Sequence, residues 1–225
     1  MANPPPPAGW YPHGQALRWW DGSQWTEHIQ PLPKPGVIGS AMLAEPVLQF
    51  VHTGSMFARD YSILSQSDMQ VGRVAGMRAG APATMLVDEF HLIDAKYQPV
   101  LIVKVKSFGT HRFEVVRPWR GLVGEIVQDN VLGRARLSLR VGSQRVAKVN
   151  RKGRRSLDFD IVDESGTEIA RVTKRSERIQ TVPDLTGKRV VLRLEMDRRL
   201  PEPLACVVVA TTLAADHVFS GESFD

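Results

Sequence analysis

The chain has 225 residues, 43% of them hydrophobic and 24% charged, with a formal net charge of +5. That balance excludes wholesale disorder and a polytopic membrane protein, and the single cysteine, Cys206, excludes an intramolecular disulfide and any zinc site built on several thiolates. The opening MANPPPPAGW lacks a basic stretch followed by an apolar core, so the expectation is a cytosolic protein without a signal peptide.

Four of the five tryptophans, Trp10, Trp19, Trp20 and Trp25, fall in the first 25 residues. They define a mini-module at 8–29, in which Asp21-Gly22 predicts a type I′ hairpin turn between two aromatic runs. A stretch this short cannot bury an ordinary core, so indoles must supply most of its apolar area. Gly9-Trp10-Tyr11-Pro12, Arg18, Trp20-Asp21-Gly22, Trp25-Thr26 and His28 resemble a short tryptophan-rich domain of unknown function found at the N-termini of membrane-associated Gram-positive bacterial proteins. His13 departs from the acidic residue expected after that proline. Residues 30–45, with Pro31, Pro33 and Pro35 alternating, read as an extended linker. The main domain is placed at 46–225.

That domain repeats with a period of 23. Val100, Val123, Val146 and Ile169 are in register, as are Val103, Ile126, Val149 and Val172. Phe90, Phe113 and Phe159 recur upstream, with Arg136 breaking the series, and Ile93, Val116, Leu139 and Val162 hold a fourth matching position. Each unit is a β-rich run, a turn and a second β-rich run, which makes it a hairpin. A weaker fifth copy, YSILSQSDMQVGRV, precedes them, and further runs at 47–51 and 189–196 bring the expected strand count to about twelve. Gly72, Gly76 and Gly80 form a GxxxGxxxG pattern. With Arg73, Arg78 and Pro82 among them, a flexible loop is expected there rather than a helix-pairing face.

The chain closes with PEPLACVVVATTLAADHVF. Pro203 suits the first turn of a helix, and from Leu204 to Ala215 nothing is charged and the apolar residues keep to no single face. A helix apolar all round must be buried. Twelve residues span roughly 18 Å, short of the ~30 Å hydrocarbon core, so burial in protein is expected. A barrel of about eight strands is filled by its own side chains, whereas a twelve-stranded one has room for a helix ~10 Å across.

Hairpin repeats, a closing strand and a final apolar helix ending in Asp216-His217-Val218-Phe219 resemble phospholipid scramblases and plant LURP-one-related proteins. Tyr61-Ser62-Ile63 and Gly124-Glu125-Ile126 are further points of likeness, and the resemblance spans about 46–220. It implies the tubby-like fold: a mainly β, twelve-stranded antiparallel barrel around a buried C-terminal helix, here with the small tryptophan-rich module in front. Two features depart from the scramblases. Asp184 and Asp197 are separated and flanked by cations where those proteins carry an acidic calcium-type loop, and calcium needs several converging oxygens. The cysteine cluster used for palmitoylation is absent as well. Calcium-activated scrambling is therefore not expected.

No phosphate-binding GxxxxGK[ST], GxSxG elbow or HExxH occurs, so no enzyme, cofactor or metal is expected. Asp216 beside His217 is read as a cap or a buried hydrogen bond. Asp158, Asp160, Asp163 and Glu164 are read as solvated carboxylates.

The informative feature is charge segregation. Residues 101–155 hold fourteen Lys and Arg against three Asp and Glu, while 156–225 hold nine against thirteen. In an up-and-down barrel every link between hairpins lies at one end, and those links carry Arg134, Arg136, Lys148, Arg151, Lys152, Arg154, Arg155, Lys174 and Arg175. One barrel end is expected to be strongly positive and to bind anionic phospholipid, each cation near an anionic leaflet contributing on the order of 1 kcal/mol. The expected protein is thus a peripheral module at the cytoplasmic face of the plasma membrane. Two alternatives stand beside it. A sequence pI of about 9.6 and RKGRR suit nucleic-acid phosphates, though interleaved aromatics for base stacking are missing. An interaction adaptor would dock on a membrane or cell-envelope protein through Trp10, Trp19, Trp20 and Trp25.

Overall fold

The computed structural model describes residues 9–13, 16–31, 40–53, 60–77, 89–108, 110–118, 120–130, 132–133, 135–153, 157–182, 185–196 and 200–221. Near the N-terminus, β1 (Gly9–His13), β2 (Ala16–Trp20) and β3 (Trp25–Pro31) form a three-stranded antiparallel sheet. The predicted two-residue turn is instead a four-residue loop, since Trp20 pairs with Trp25 across it. The side chain of Asp21 is the reason: its Oδ1 accepts from the amides of Ser23 and Gln24 at 2.7 and 2.8 Å, satisfying a wider turn, and Gly22 supplies φ 102°. Trp20 and Trp25 meet edge to face, with ring centroids 5.1 Å apart.

Twelve strands then pair in chain order and close into an antiparallel barrel. They are β4 (Val47–His52), β5 (Tyr61–Leu64), β6 (Gln70–Met77), β7 (Glu89–Asp94), β8 (Pro99–Phe108), β9 (Thr110–Arg117), β10 (Gly121–Gln128), β11 (Leu137–Val141), β12 (Gln144–Arg151), β13 (Phe159–Asp163), β14 (Glu168–Val182) and β15 (Leu185–Met196). Closure runs through β4, which pairs with β15 on one side and β5 on the other. The five repeated units are the hairpins β5–β6, β7–β8, β9–β10, β11–β12 and β13–β14.

The 23-residue period has a structural cause, because every hairpin carries a β-bulge at the same point. Leu92 pairs with Leu101 but Ile93 with Pro99, leaving Val100 as the extra residue. In the same way the ladders pass over Val123, Val146 and Ile169, and over Val71 in the weaker first copy. A bulge bends its strand and increases its twist, which a closed sheet requires. The second repeat column is a set of cross-strand core pairs: Phe90 with Val103, Phe113 with Ile126 and Phe159 with Val172, all buried. Arg136 breaks the phenylalanine series because it lies just before β11 and is exposed, and Leu137 is the buried residue there.

Gly72 and Gly76 lie in strand β6, not in the loop that their spacing suggested; Gly80 is outside the described residues. Gly72 is there because β7 passes close by: a Cβ would stand 2.6 Å from the Ile93 carbonyl oxygen.

The final helix, α2 (Glu202–Gly221), is longer than its apolar stretch and spans about 30 Å inside the barrel. Its stretch Glu202–Phe219 is long and apolar enough to cross a membrane, yet 72% of it is buried within the fold. It packs chiefly on β9, β10 and β11. Gly124 of β10 lets it come close, for a Cβ there would collide with the Arg140 carbonyl and stand 2.6 Å from Val207 Cγ2. At the helix start, Glu202 pairs with Arg117, which is 7% exposed, at 2.9 Å and with Arg120 at 3.1 Å. At its other end, Asp216 accepts a 2.7 Å hydrogen bond from the Tyr61 hydroxyl. This half-buried hydrogen bond engages Asp216 alone of the Asp216-His217 pair. His217 packs edge-on against Phe90, Phe113 and His111.

The segment expected to be linker up to residue 45 ends in a short helix, α1 (Ser40–Ala44), whose Met42 and Leu43 are 2% and 8% exposed and belong to the core. Deleting 1–38 is therefore expected to leave the barrel's thermal transition nearly unchanged. Deleting 1–45 removes Met42 with it and should lower stability by about 2–5 kcal/mol, as other large core deletions do. Paired melts of the two truncations check this.

Burial raises the pKa of the Cys206 thiol above the ordinary thiol range, and a hydrogen bond from Arg117 offsets the shift only in part. A thiol whose folded-state pKa is raised favours the folded barrel below the unfolded value and loses that contribution as pH rises past it. Cys206 should accordingly resist an aromatic disulfide reagent in the native protein and react only on unfolding.

Candidate functional site

At one end of the barrel β12 outlasts its neighbour β11. The β11–β12 ladder begins at Ser138 opposite Lys148, whereas β12 continues its pairing with β13 as far as Arg151. Where the two strands part, a groove of about 950 Å3 opens between the β10–β11 connection and β12. Arg136, Lys148 and Arg151 line it, together with Arg145, Asn130 and Asn150; Asp129 is the acidic residue in the lining. It is open to solvent along one side.

The cations of this groove differ in how they are held. Arg145 is committed to Glu164 through two hydrogen bonds, at 2.8 and 3.2 Å, which raise its own pKa and lower that of Glu164. Arg151 lays its guanidinium 4.4 Å from the centroid of Phe219, at the end of α2. Arg136 and Lys148 are exposed, and among the described residues neither forms an ion pair.

The groove rim is built by short-range hydrogen bonds. The Asp129 amide donates to the Arg136 carbonyl at 2.8 Å, closing the connection at its base. Asn130 bridges it: its Oδ1 accepts from the Arg136 amide, its Nδ2 donates to the Leu132 carbonyl, both at 2.8 Å, and its own carbonyl accepts from Gln128 Nε2 at 2.7 Å. Ser138 Oγ donates to Asp129 Oδ1 at 2.8 Å. Asp129 is thus occupied in the scaffold of the rim.

Of the nine cations expected to share one barrel end, the six described ones do not all line the groove. Arg136, Lys148 and Arg151 come together in the groove. Lys152 instead pairs with Asp160 at 3.0 Å. Lys174 and Arg175 are exposed on β14, two strands from β12 and so about 10 Å away. Arg134, Arg154 and Arg155 lie outside the described residues.

The carboxylates expected to be merely solvated are what divides the cations. Asp160 holds Lys152 and Arg171, Glu164 holds Arg145, and Asp158 accepts from the Lys174 amide at 2.8 Å. Sequence reasoning missed Arg145 as a groove residue. The signal was available in the facing carboxylate of the next hairpin, but only strand register identifies the pair. Of the tryptophans, Trp19 and Trp20 are half-buried and Trp25 is 43% exposed. Among the described residues no three His, Cys, Asp or Glu side chains converge as a metal site would require.

Residues 8–37 match the family model described as a protein of unknown function, DUF2510, a span that takes in the three-stranded sheet. No curated protein matches the chain. Among solved structures, the X-ray structure of a protein from Arabidopsis thaliana is similar at 14% identity and a TM-score of 0.46, covering 83% of this chain and 98% of that one. The twelve-stranded barrel around a helix rests on this chain's own strand pairing.

Proposed function

We propose that the protein is a non-enzymatic, peripheral module that binds anionic phospholipid at the cytoplasmic face of the plasma membrane, with the β10–β12 groove as its headgroup site. The observation that carries this reading is the convergence of Arg136, Lys148 and Arg151 on one solvent-open groove whose acidic residue, Asp129, is tied into the rim. Phosphate and carboxylate headgroups would meet Arg136 and Lys148 there, both exposed and neither in an ion pair among the described residues. The resemblance to phospholipid scramblases and the tubby-like fold supports the same class of partner, without lipid flipping.

The outer wall fits a surface role rather than a spanning one. Arg112–Glu125, Lys106–Glu114 and Arg171–Asp160 ion pairs stud it, whereas a membrane-spanning barrel needs an apolar belt. Sedimentation with phosphatidylserine-containing vesicles, with neutral vesicles and with no lipid is the test, run beside a DNA gel shift. Pelleting only with the anionic vesicles is the expected result. A shift of DNA without vesicle binding replaces the reading with nucleic-acid recognition.

One observation favours a second role for the N-terminal sheet. Trp25 and Ile29 are 43% and 62% exposed on a module too small to hide them. They suit docking on a membrane or cell-envelope protein, which a pull-down with residues 1–38 would detect.

A further inference from the structure

We propose that Leu132 is a membrane-inserting residue, held out from the groove rim so that it enters the acyl region of an anionic bilayer while the groove cations engage the headgroups. This rests on the lipid-binding reading above and assigns it a contact of a different chemistry.

Leu132 is 87% exposed, the highest value of any large hydrophobic residue among those described. Isolated apolar residues on a surface are common and need no function. What distinguishes this one is its support. Its carbonyl is fixed by Asn130 Nδ2, and the same asparagine fixes the Arg136 amide. Gly133, which follows, takes φ 80°, a conformation that L side chains rarely adopt. These contacts fix the Leu132 carbonyl and the Gly133 turn beside a side chain that gains nothing from the barrel core.

Charge complementarity identifies the occupant. Leu132 lines the same groove as the exposed Arg136 and Lys148, so a surface presenting both apolar chains and anionic groups suits all three. A bilayer with anionic headgroups has both within a few ångströms of depth. Interfacial binding strength scales with buried apolar area added to electrostatic attraction. One leucine is too little alone and becomes useful beside a set of cations.

The test exploits the inert Cys206, which is fully buried. Leu132→Cys carrying an environment-sensitive thiol fluorophore should brighten and shift to the blue on phosphatidylserine vesicles, and brominated acyl chains should quench it. The same label on Lys96→Cys, in the exposed β7–β8 turn away from the groove, should not respond. Leu132→Ala should weaken vesicle binding about tenfold, the order expected for losing a partly inserted branched side chain. Its melt should not change, because the residue packs on nothing that the fold needs.

The outcomes separate cleanly. If the wild-type protein does not pellet with anionic vesicles, the lipid-binding reading and this inference fall together. If it pellets but the label at position 132 stays in a water-like environment, or Leu132→Ala binds as tightly as wild type, insertion alone is overturned.

Discussion

Replacing Val208 with aspartate is expected to abolish the cooperative unfolding transition and leave the protein insoluble. Val208 is 0% exposed, at the middle of an α2 stretch in which every residue from Ala205 to Ala215 is buried. That stretch is uncharged, and it shares one apolar core with Ile126 of β10 and with Leu137 and Leu139 of β11, the strands it packs on. An ionised carboxylate there would enter an uncharged, fully buried stretch of the helix. Its burial costs several kcal/mol at least, a large part of the 5–15 kcal/mol that stabilises a typical domain. Val208→Ala is the control and should remain folded, losing about 1–3 kcal/mol for the missing methyl groups and the small cavity. Circular dichroism melts of the three proteins decide the matter. An aspartate variant that melts like wild type would remove α2 from the barrel interior. A wild-type protein that needs detergent to stay in solution would point instead to the helix as an anchor.

Reversing two groove charges, Arg136→Glu with Lys148→Glu, should reduce binding to anionic vesicles by about a thousandfold without disturbing the melt. Each reversal removes one attraction and adds one repulsion, each on the order of 1 kcal/mol near an anionic leaflet. Both side chains are exposed, so the core should not register the change. Lys152→Glu should do less to binding, because Lys152 is already paired with Asp160. It should instead perturb the local fold, by placing a carboxylate beside Asp160. Arg151 is a poorer test than its position suggests, since its guanidinium also packs on Phe219 and its loss would loosen the end of α2. Binding by the wild type should weaken steeply between low and physiological salt, as exposed charges are screened over about 10 Å at 0.1 M. Equal losses from Lys148→Glu and from Lys96→Glu, in a turn at the other barrel end, would leave only a diffuse attraction and no groove.

Sequence alone determined the barrel's plan. The period of 23, the apolar helix without a polar face and the count of about twelve strands are local regularities, and each follows from what a strand or helix must bury along its own length. Val100, Val123, Val146 and Ile169 announced a repeated unit, yet they could not reveal themselves as bulge residues. A bulge exists only between two strands, and which residue is left over depends on how the partner is registered. The same limit applies to α1, where Met42 and Leu43 looked like the tail of a proline-rich linker until the core they enter was visible.

For the site, sequence supplied the sign of the charge and tertiary structure decided its distribution. Lys152 and Arg136 read alike along the chain, both basic residues in links between hairpins. Cross-strand neighbours separate them: Asp160 on β13 faces Lys152 and neutralises it, while Arg136 sits on a groove rim whose one carboxylate is turned to Ser138. Coulomb interactions fall with distance through space and take no account of distance along the chain. A cation's availability to a ligand is therefore decided by strand register, and register is a property of the closed barrel.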